Sequence, residues 1–315
     1  MMTIYNRNAG QELTKVDALT QNNWIEMIAP TADEIAKLIA ELSLPAYFLE
    51  EATDKNVRPK IESEGTDQLF IIHLPYNDLS VEHSGLDVKY RTIPFAIILT
   101  GTHFITVCQE ETPFTAKYFM SQNLNFGAAH HTQNTLNILN QTADDYIVLT
   151  QKIEHEITAA EDELSRSYRN PELYTLLYLN ESLLYMATSL KQMLHTMRKI
   201  EQDGALEMHR DDREIFVDAL VELEQAYAVT EINQLNSNNV MDAYGNIIQN
   251  NVSHVVKLLT AVTIVLSIPT MIASIYGMNV PLPYQDEPEA FAVLIGVMIV
   301  MSVVVAMIFR KKNYF

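Results

Sequence analysis

Thr263, Ser267, Thr270 and Ser274 follow one another at spacings of four, three and four, and Gly277 lies three further on. At helical periodicity this sets all five on one face. The face runs backward through Leu259 and Val256 toward Asn246 and Asp242, and forward into the run Tyr276-Gly277-Met278-Asn279. Beyond that run stand Asp286, Glu287 and Glu289. Small hydroxyl residues on one face serve close packing between membrane helices as well as the lining of a water-filled path. Carboxamide and carboxylate groups beyond both ends tip the balance toward a path for cations, since hard cations prefer oxygen ligands.

The stripe needs a membrane helix to carry it. Leu258 to Tyr276 is apolar apart from the hydroxyl residues, and Ala290 to Phe309 has only Ser302 as a polar side chain. Each run is about 20 residues, enough to cross a hydrocarbon core of roughly 30 Å at 1.5 Å per residue. Lys257 precedes the first run and Arg310-Lys311-Lys312 follows the second, while the segment between them holds neither Lys nor Arg. By the positive-inside rule both ends are cytoplasmic and Gly277 to Glu289 faces outside, stiffened by Pro281, Pro283 and Pro288. Two spans cannot enclose a water-filled path, so a pore requires a ring of copies, each giving one such face.

The remainder of the 315 residues carries the charge. Formal net charge is −19; Lys257, Arg310, Lys311 and Lys312 against Asp286, Glu287 and Glu289 leave the last sixty or so residues at plus one, and the rest at minus 20. Such a surface repels phosphates and attracts cations, so the sequence predicts no nucleic-acid partner. Met1 to Gly10 offers no apolar signal-peptide core, and the single Cys108 cannot form an intramolecular disulfide. The large N-terminal part is accordingly read as cytosolic.

Within that part, Trp24 to Ile28 reads as a strand, and Thr31 and Glu34 have capping-box spacing at the start of a helix. The runs QLFIIHLPY, PFAIILT and HFITVCQ, the last two joined through Thr100-Gly101, read as strands of a small sheet flanked by helices up to about Gly127. Long helices follow, from Gln133 to Tyr168 and from Pro171 to about Gln202, where Asp203-Gly204 breaks the pattern. A third begins near Asp211, with Asp211 and Glu214 in capping-box spacing, and meets no proline before Pro269. Continued into the first span it is a stalk of about 65 residues, on the order of 100 Å; a break at Gly245 or in the Asn-rich run Asn233 to Asn239 is the alternative. The expected organisation is a cytosolic α/β domain over 1–131, a hairpin of long helices over 132–210, and a stalk helix running into the first span over 211–276. An external acidic loop over 277–289, a second span over 290–309 and a basic cytoplasmic tail over 310–315 complete it.

With these elements in place, Tyr-Gly-Met-Asn at the end of the first of two C-terminal spans resembles the CorA family of divalent-cation (magnesium/cobalt) transporters. PTMIASIYGMN from Pro269, VMDAYGNIIQNNVSHVVKLLT from Val240, WIEMIAPTADE from Trp24 and RPKIE at Arg58 to Glu62 extend the resemblance over most of the chain. It implies a funnel-shaped homopentamer in the cytoplasmic membrane, with Gly277, Met278 and Asn279 at the outer selectivity ring. It also implies Leu259 at a hydrophobic constriction and Asp242 facing the axis below it. Neutral oxygens there would grip Mg²⁺ through the water shell that it gives up reluctantly, allowing entry without trapping. Asp286, Glu287 and Glu289 would concentrate cations at the mouth, or form only a solvated loop. The resemblance further implies shut-off by cytosolic Mg²⁺ bound between subunits, at Asp218 and, by a looser match, Asp78. The family's usual Met-Pro-Glu-Leu after Gly-Met-Asn is replaced by VPLPYQDEPEA, which leaves Mg²⁺, Co²⁺, Ni²⁺ and Zn²⁺ open as the ion.

Two other readings remain at this level: a zinc transporter of the related ZntB branch, and a membrane-anchored metal sensor that does not conduct. An enzyme is not expected. HEITA from His155 lacks a second histidine, His130-His131 has no partner at ligand spacing, no Gly-rich phosphate loop exists, and Cys108 sits in an apolar strand.

Overall fold

The computed structural model describes residues 1–7, 13–78, 88–119, 126–167, 170–204, 206, 208–283, 287–312 and 314. These residues form two compact units, Met1–Met241 and Asp242–Phe315.

The first unit opens with a seven-stranded sheet in the order β2-β1-β3-β7-β6-β5-β4. Its strands are β1 (Met2–Arg7), β2 (Leu13–Val16), β3 (Asn23–Ile28), β4 (Lys60–Glu64), β5 (Asp67–Asn77), β6 (Tyr90–Leu99) and β7 (His103–Cys108). Only β3 and β7 run parallel, with Trp24 opposite Phe104, and every other neighbouring pair is antiparallel. The strands expected around Trp24 and in the three apolar runs are all present; β1, β2 and β4 were not anticipated.

Alternation along β3 divides the core in two. Ile25 and Met27 join Leu38, Phe48 and Leu49 of the short helices α1 (Ala32–Leu42) and α2 (Ala46–Ala52). On the other face Trp24 stacks between Tyr5 and Phe119, the latter in α3 (Pro113–Phe119), and its indole N–H donates to Thr106 Oγ1 at 2.9 Å. The capping box of α1 is as expected, with the Thr31 hydroxyl accepting from Glu34 N–H and the Glu34 carboxylate accepting from Thr31 N–H.

A 3-10 turn at Ala128–His130 leads into α4 (His131–Ser167), followed by α5 (Asn170–Asp203) and α6 (Arg210–Tyr276). Buried residues of α4 include the series Leu139, Ala143, Tyr146, Thr150, Ile153, Ile157, Ala160 and Leu164. Those of α5 include Leu176, Leu179, Leu183, Met186, Leu190, Met193, Met197 and Ile200, and those of α6 Phe216, Ala219, Leu223, Ala226, Thr230, Asn233 and Ser237. Along these series steps of three and four alternate, the 3.5-residue repeat of a left-handed coiled-coil seam. The Thr150 and Thr230 hydroxyls meet at 3.0 Å inside it. The break at Asp203-Gly204 matches the end of α5, where Gly204 adopts φ +62°.

The start of α6 differs from expectation. It opens at Arg210, so Asp211 lies within the first turn, and the first-turn carboxylate that meets the backbone is that of Asp212, whose Oδ2 accepts from His209 N–H at 2.9 Å. Asp212 is buried there, which fixes the choice between the two neighbouring aspartates. No break occurs at Gly245 or in the Asn-rich run: α6 is one helix of 67 residues containing Pro269. The second unit comprises its part from Asp242 onward and α7 (Ala290–Lys311). Both helices have an 18-residue apolar window long enough to span a membrane, and those windows are almost wholly unburied within the chain.

Candidate cation-conducting site

The hydroxyl stripe of α6 is tied to its own backbone. Thr263 Oγ1 donates to Leu259 O at 2.8 Å, Ser267 Oγ to Thr263 O at 2.7 Å, and Thr270 Oγ1 to Leu266 O at 3.0 Å. Each hydroxyl proton is thereby committed to the carbonyl one turn back. The oxygen lone pairs are left as acceptors on the exposed helix surface, the polarity a cation or its water shell requires. Ser274 continues this face and is exposed. Leu259 is 66% exposed in the single chain, and Asp242 is exposed as well.

The helix ends where the motif begins. Gly277 N–H donates to Ala273 O at 3.0 Å and Met278 N–H to Ile275 O at 3.2 Å, closing the last turn. A Cβ on Gly277 would stand 3.4 Å from Ala273 O, so the residue sits against the helix's own carbonyls with little room to spare. Met278 and Asn279 are exposed in the bend that follows. Tyr276 Oη reaches over to Pro283 O at 3.4 Å. Ala290 N–H donates to Glu287 O and Val293 N–H to Glu289 O, both at 3.1 Å, and start α7. The Glu287 and Glu289 carboxylates are exposed, and Glu289 makes no side-chain cap to the helix that it precedes. Asp286 lies outside the described residues.

The two aspartates expected to regulate both belong to the first unit. Asp78 directly follows β5, is half-buried, and its N–H donates to Lys89 O at 2.9 Å. It borders a cavity of about 840 Å³ with Lys55, Arg91, Glu110 and Glu111, where Lys55 and Glu110 pair at 3.4 Å. Asp218 stands on the exposed side of α6, outside the seam that buries Phe216 and Ala219. Among the described residues no three His, Cys, Asp or Glu side chains gather as a metal-binding group.

Residues weighed for other chemistry are occupied structurally. Cys108 is buried, donates weakly to Pro94 O at 3.7 Å, and burial pushes its thiol up to about 11. His131 is buried with Nε2 2.9 Å from Phe126 O, and burial lowers its pKa. His155 Nδ1 lies 2.7 Å from Gln151 O of the preceding turn.

A family model described as "CorA-like Mg2+ transporter protein" matches residues 20–311. The "Cobalt/magnesium transport protein CorA" of Methanocaldococcus jannaschii is 23% identical over 297 residues, covering 92% of this chain and 90% of that protein. The complete structure of the CorA magnesium transporter from the same organism superposes with a TM-score of 0.83 at 19% identity, covering 100% of this chain and 99% of the other. The full-length CmaX protein matches with a TM-score of 0.71 at 15% identity, covering 98% and 96%.

Proposed function

Because the chain belongs to the family of CorA-like Mg²⁺ transporter proteins, we propose that it carries Mg²⁺, with Co²⁺ or Ni²⁺ as further cargo, across the cytoplasmic membrane through a ring of identical copies. The observation that carries this reading is the hydroxyl ladder of α6, whose protons are turned into the helix and whose oxygens are left free. Five copies, the number the family resemblance implies, would bring five such faces around one path. The second spans would form the outer ring against lipid. Lys257 before the first span and Arg310, Lys311 and Lys312 after the second hold both termini in the cytoplasm.

In this reading Asn279 carboxamides and the neighbouring Gly277 and Met278 carbonyls form the outer filter. Mg²⁺ sheds water reluctantly, so neutral oxygens that hold the hydrated ion select it without trapping it. Asp286, Glu287 and Glu289 raise the local cation concentration at the mouth. Below the filter, Ser274, Thr270, Ser267 and Thr263 offer acceptors in turn. Leu259 closes the path by dewetting when the ring tightens, and Asp242 receives the ion beyond it. Shut-off by cytosolic Mg²⁺ follows from differential binding: Asp218 of one copy and Asp78 of the next repel until a divalent ion joins them, so the ion favours the closed ring.

The test is uptake by proteoliposomes loaded with a divalent-sensitive dye, comparing Mg²⁺, Co²⁺, Ni²⁺ and Zn²⁺ for the native protein and Asn279→Ala. Mg²⁺ uptake that Asn279→Ala abolishes supports the filter. Zn²⁺ uptake that requires a proton gradient would replace this reading by a ZntB-like transporter, and binding without flux would replace it by a sensor.

A further inference from the structure

Between the outer end of α6 and the start of α7 the second unit holds a cavity of about 670 Å³, walled by apolar side chains including Ile275, Val293, Leu294 and Val297. Glu287 and Glu289 border it. Its size falls within the roughly 300–1,000 Å³ of sites that hold small organic ligands. Neither carboxylate makes a hydrogen bond or ion pair among the described residues, and Glu289 leaves its own helix uncapped. Tyr276, whose hydroxyl reaches Pro283 O, forms part of the wall and stands directly before Gly277.

An apolar groove on helices long enough to span a membrane, with two carboxylates at its headgroup end that are unpaired among the described residues, is complementary to one kind of molecule: an amphiphile with a hydrocarbon tail and a cationic head. We propose that this groove binds a phospholipid carrying a primary ammonium, its acyl chain along Ile275, Leu294 and Val297 and its ammonium on Glu287 and Glu289. A primary ammonium presents three N–H donors to the two carboxylates, whereas an anionic headgroup would be repelled by them. The bound ammonium and hydrated divalent ions then compete for the same carboxylates, so lipid composition sets how much of the mouth's negative charge remains for ions. Lipid binding rests only on the membrane placement of the two helices; the competition with ions rests on the proposed conduction.

The test uses the full chain in nanodiscs of equal phosphatidylethanolamine and phosphatidylglycerol with matched tails, measuring which lipid stays bound after mild detergent extraction. The native protein is expected to retain phosphatidylethanolamine about three- to five-fold over phosphatidylglycerol, the preference a partly exposed ion pair supports. The double variant Glu287→Gln/Glu289→Gln should lose the preference while keeping bound lipid. Val297→Trp, which fills the groove, should retain neither lipid at unchanged oligomer size. Equal retention by the native protein, or a preference that survives in the double glutamine variant, overturns the proposal. So does a groove occupied by a second copy, seen as a Val293→Cys cross-link between copies with no lipid retained. A lost preference leaves the transport reading standing, and a non-conducting protein that keeps the preference leaves this one standing.

Discussion

Asn279 and Asp218 are, in the single chain, exposed polar side chains with no metal-binding group around them among the described residues. The family resemblance singled them out, and in the proposed ring their chemistry would arise where copies meet. Asp218→Ala should weaken inhibition of uptake by Mg²⁺ trapped inside proteoliposomes, and Asp78→Ala should do so to a similar degree; inhibition unchanged in both variants would remove the regulatory assignment. The buried histidines make a second prediction at this scale. His73 donates from Nε2 to Val57 O at 2.8 Å, accepts from Ser189 at Nδ1 at 2.9 Å, and is pushed down in pKa by burial, as are His103 and His131. The unfolded chain therefore takes up protons that the folded unit refuses, and stability should fall as pH drops below about 6.5, levelling once the lowered folded values are passed. Glu26, raised mainly by its burial, acts in the opposite sense at lower pH. Thermal unfolding followed between pH 7.5 and 5 should show the midpoint dropping, with a shallower slope in His73→Gln. A midpoint that rises on acidification would contradict the assignment.

At the scale of elements, legibility followed pattern strength. The Thr31 and Glu34 box was readable because both partners are local in sequence, and Thr31→Ala should cost about 1 kcal/mol in denaturant unfolding. β1 and β4 escaped notice because MTIYNR and KIESE mix few apolar residues with polar and charged ones. At the sheet edge β4 need bury little, and its charges discourage pairing with another chain, whereas β1 is paired on both sides and buries Ile4 and Tyr5. Low propensity made the Asn-rich run a weak point of the expected stalk, with a break there as the alternative. Instead Asn233 and Ser237 occupy consecutive seam positions, 8% and 1% exposed, so packing overrides propensity. Ser237 Oγ finds no partner among the described residues. Ser237→Ala should thus leave the unfolding midpoint equal or higher, whereas Leu223→Ala, from the same seam, should lose about 2–5 kcal/mol. Equal losses at the two positions would contradict the seam.

For the whole molecule, the α/β sheet, the long helices and both apolar spans were legible from composition and periodicity, and the family from the Gly-Met-Asn motif in its setting. The path-lining face was proposed from the spacing of Thr263, Ser267, Thr270 and Ser274, and the ring that would close it around a path is part of the proposed function. Charge asymmetry gives the topology its own test: in a Cys108→Ser background, Pro281→Cys should react with a membrane-impermeant maleimide in intact cells and Asp17→Cys only after permeabilisation. The reverse pattern would invert the protein in the membrane. The central claim, passive conduction of a hydrated divalent ion, is tested most directly by Mg²⁺ uptake into proteoliposomes under an inside-negative membrane potential with no proton gradient. The account predicts uptake that grows with the potential and falls to the rate set by the Mg²⁺ concentration gradient alone when it is collapsed. Uptake that is absent under voltage and appears only when a proton gradient is imposed would contradict it.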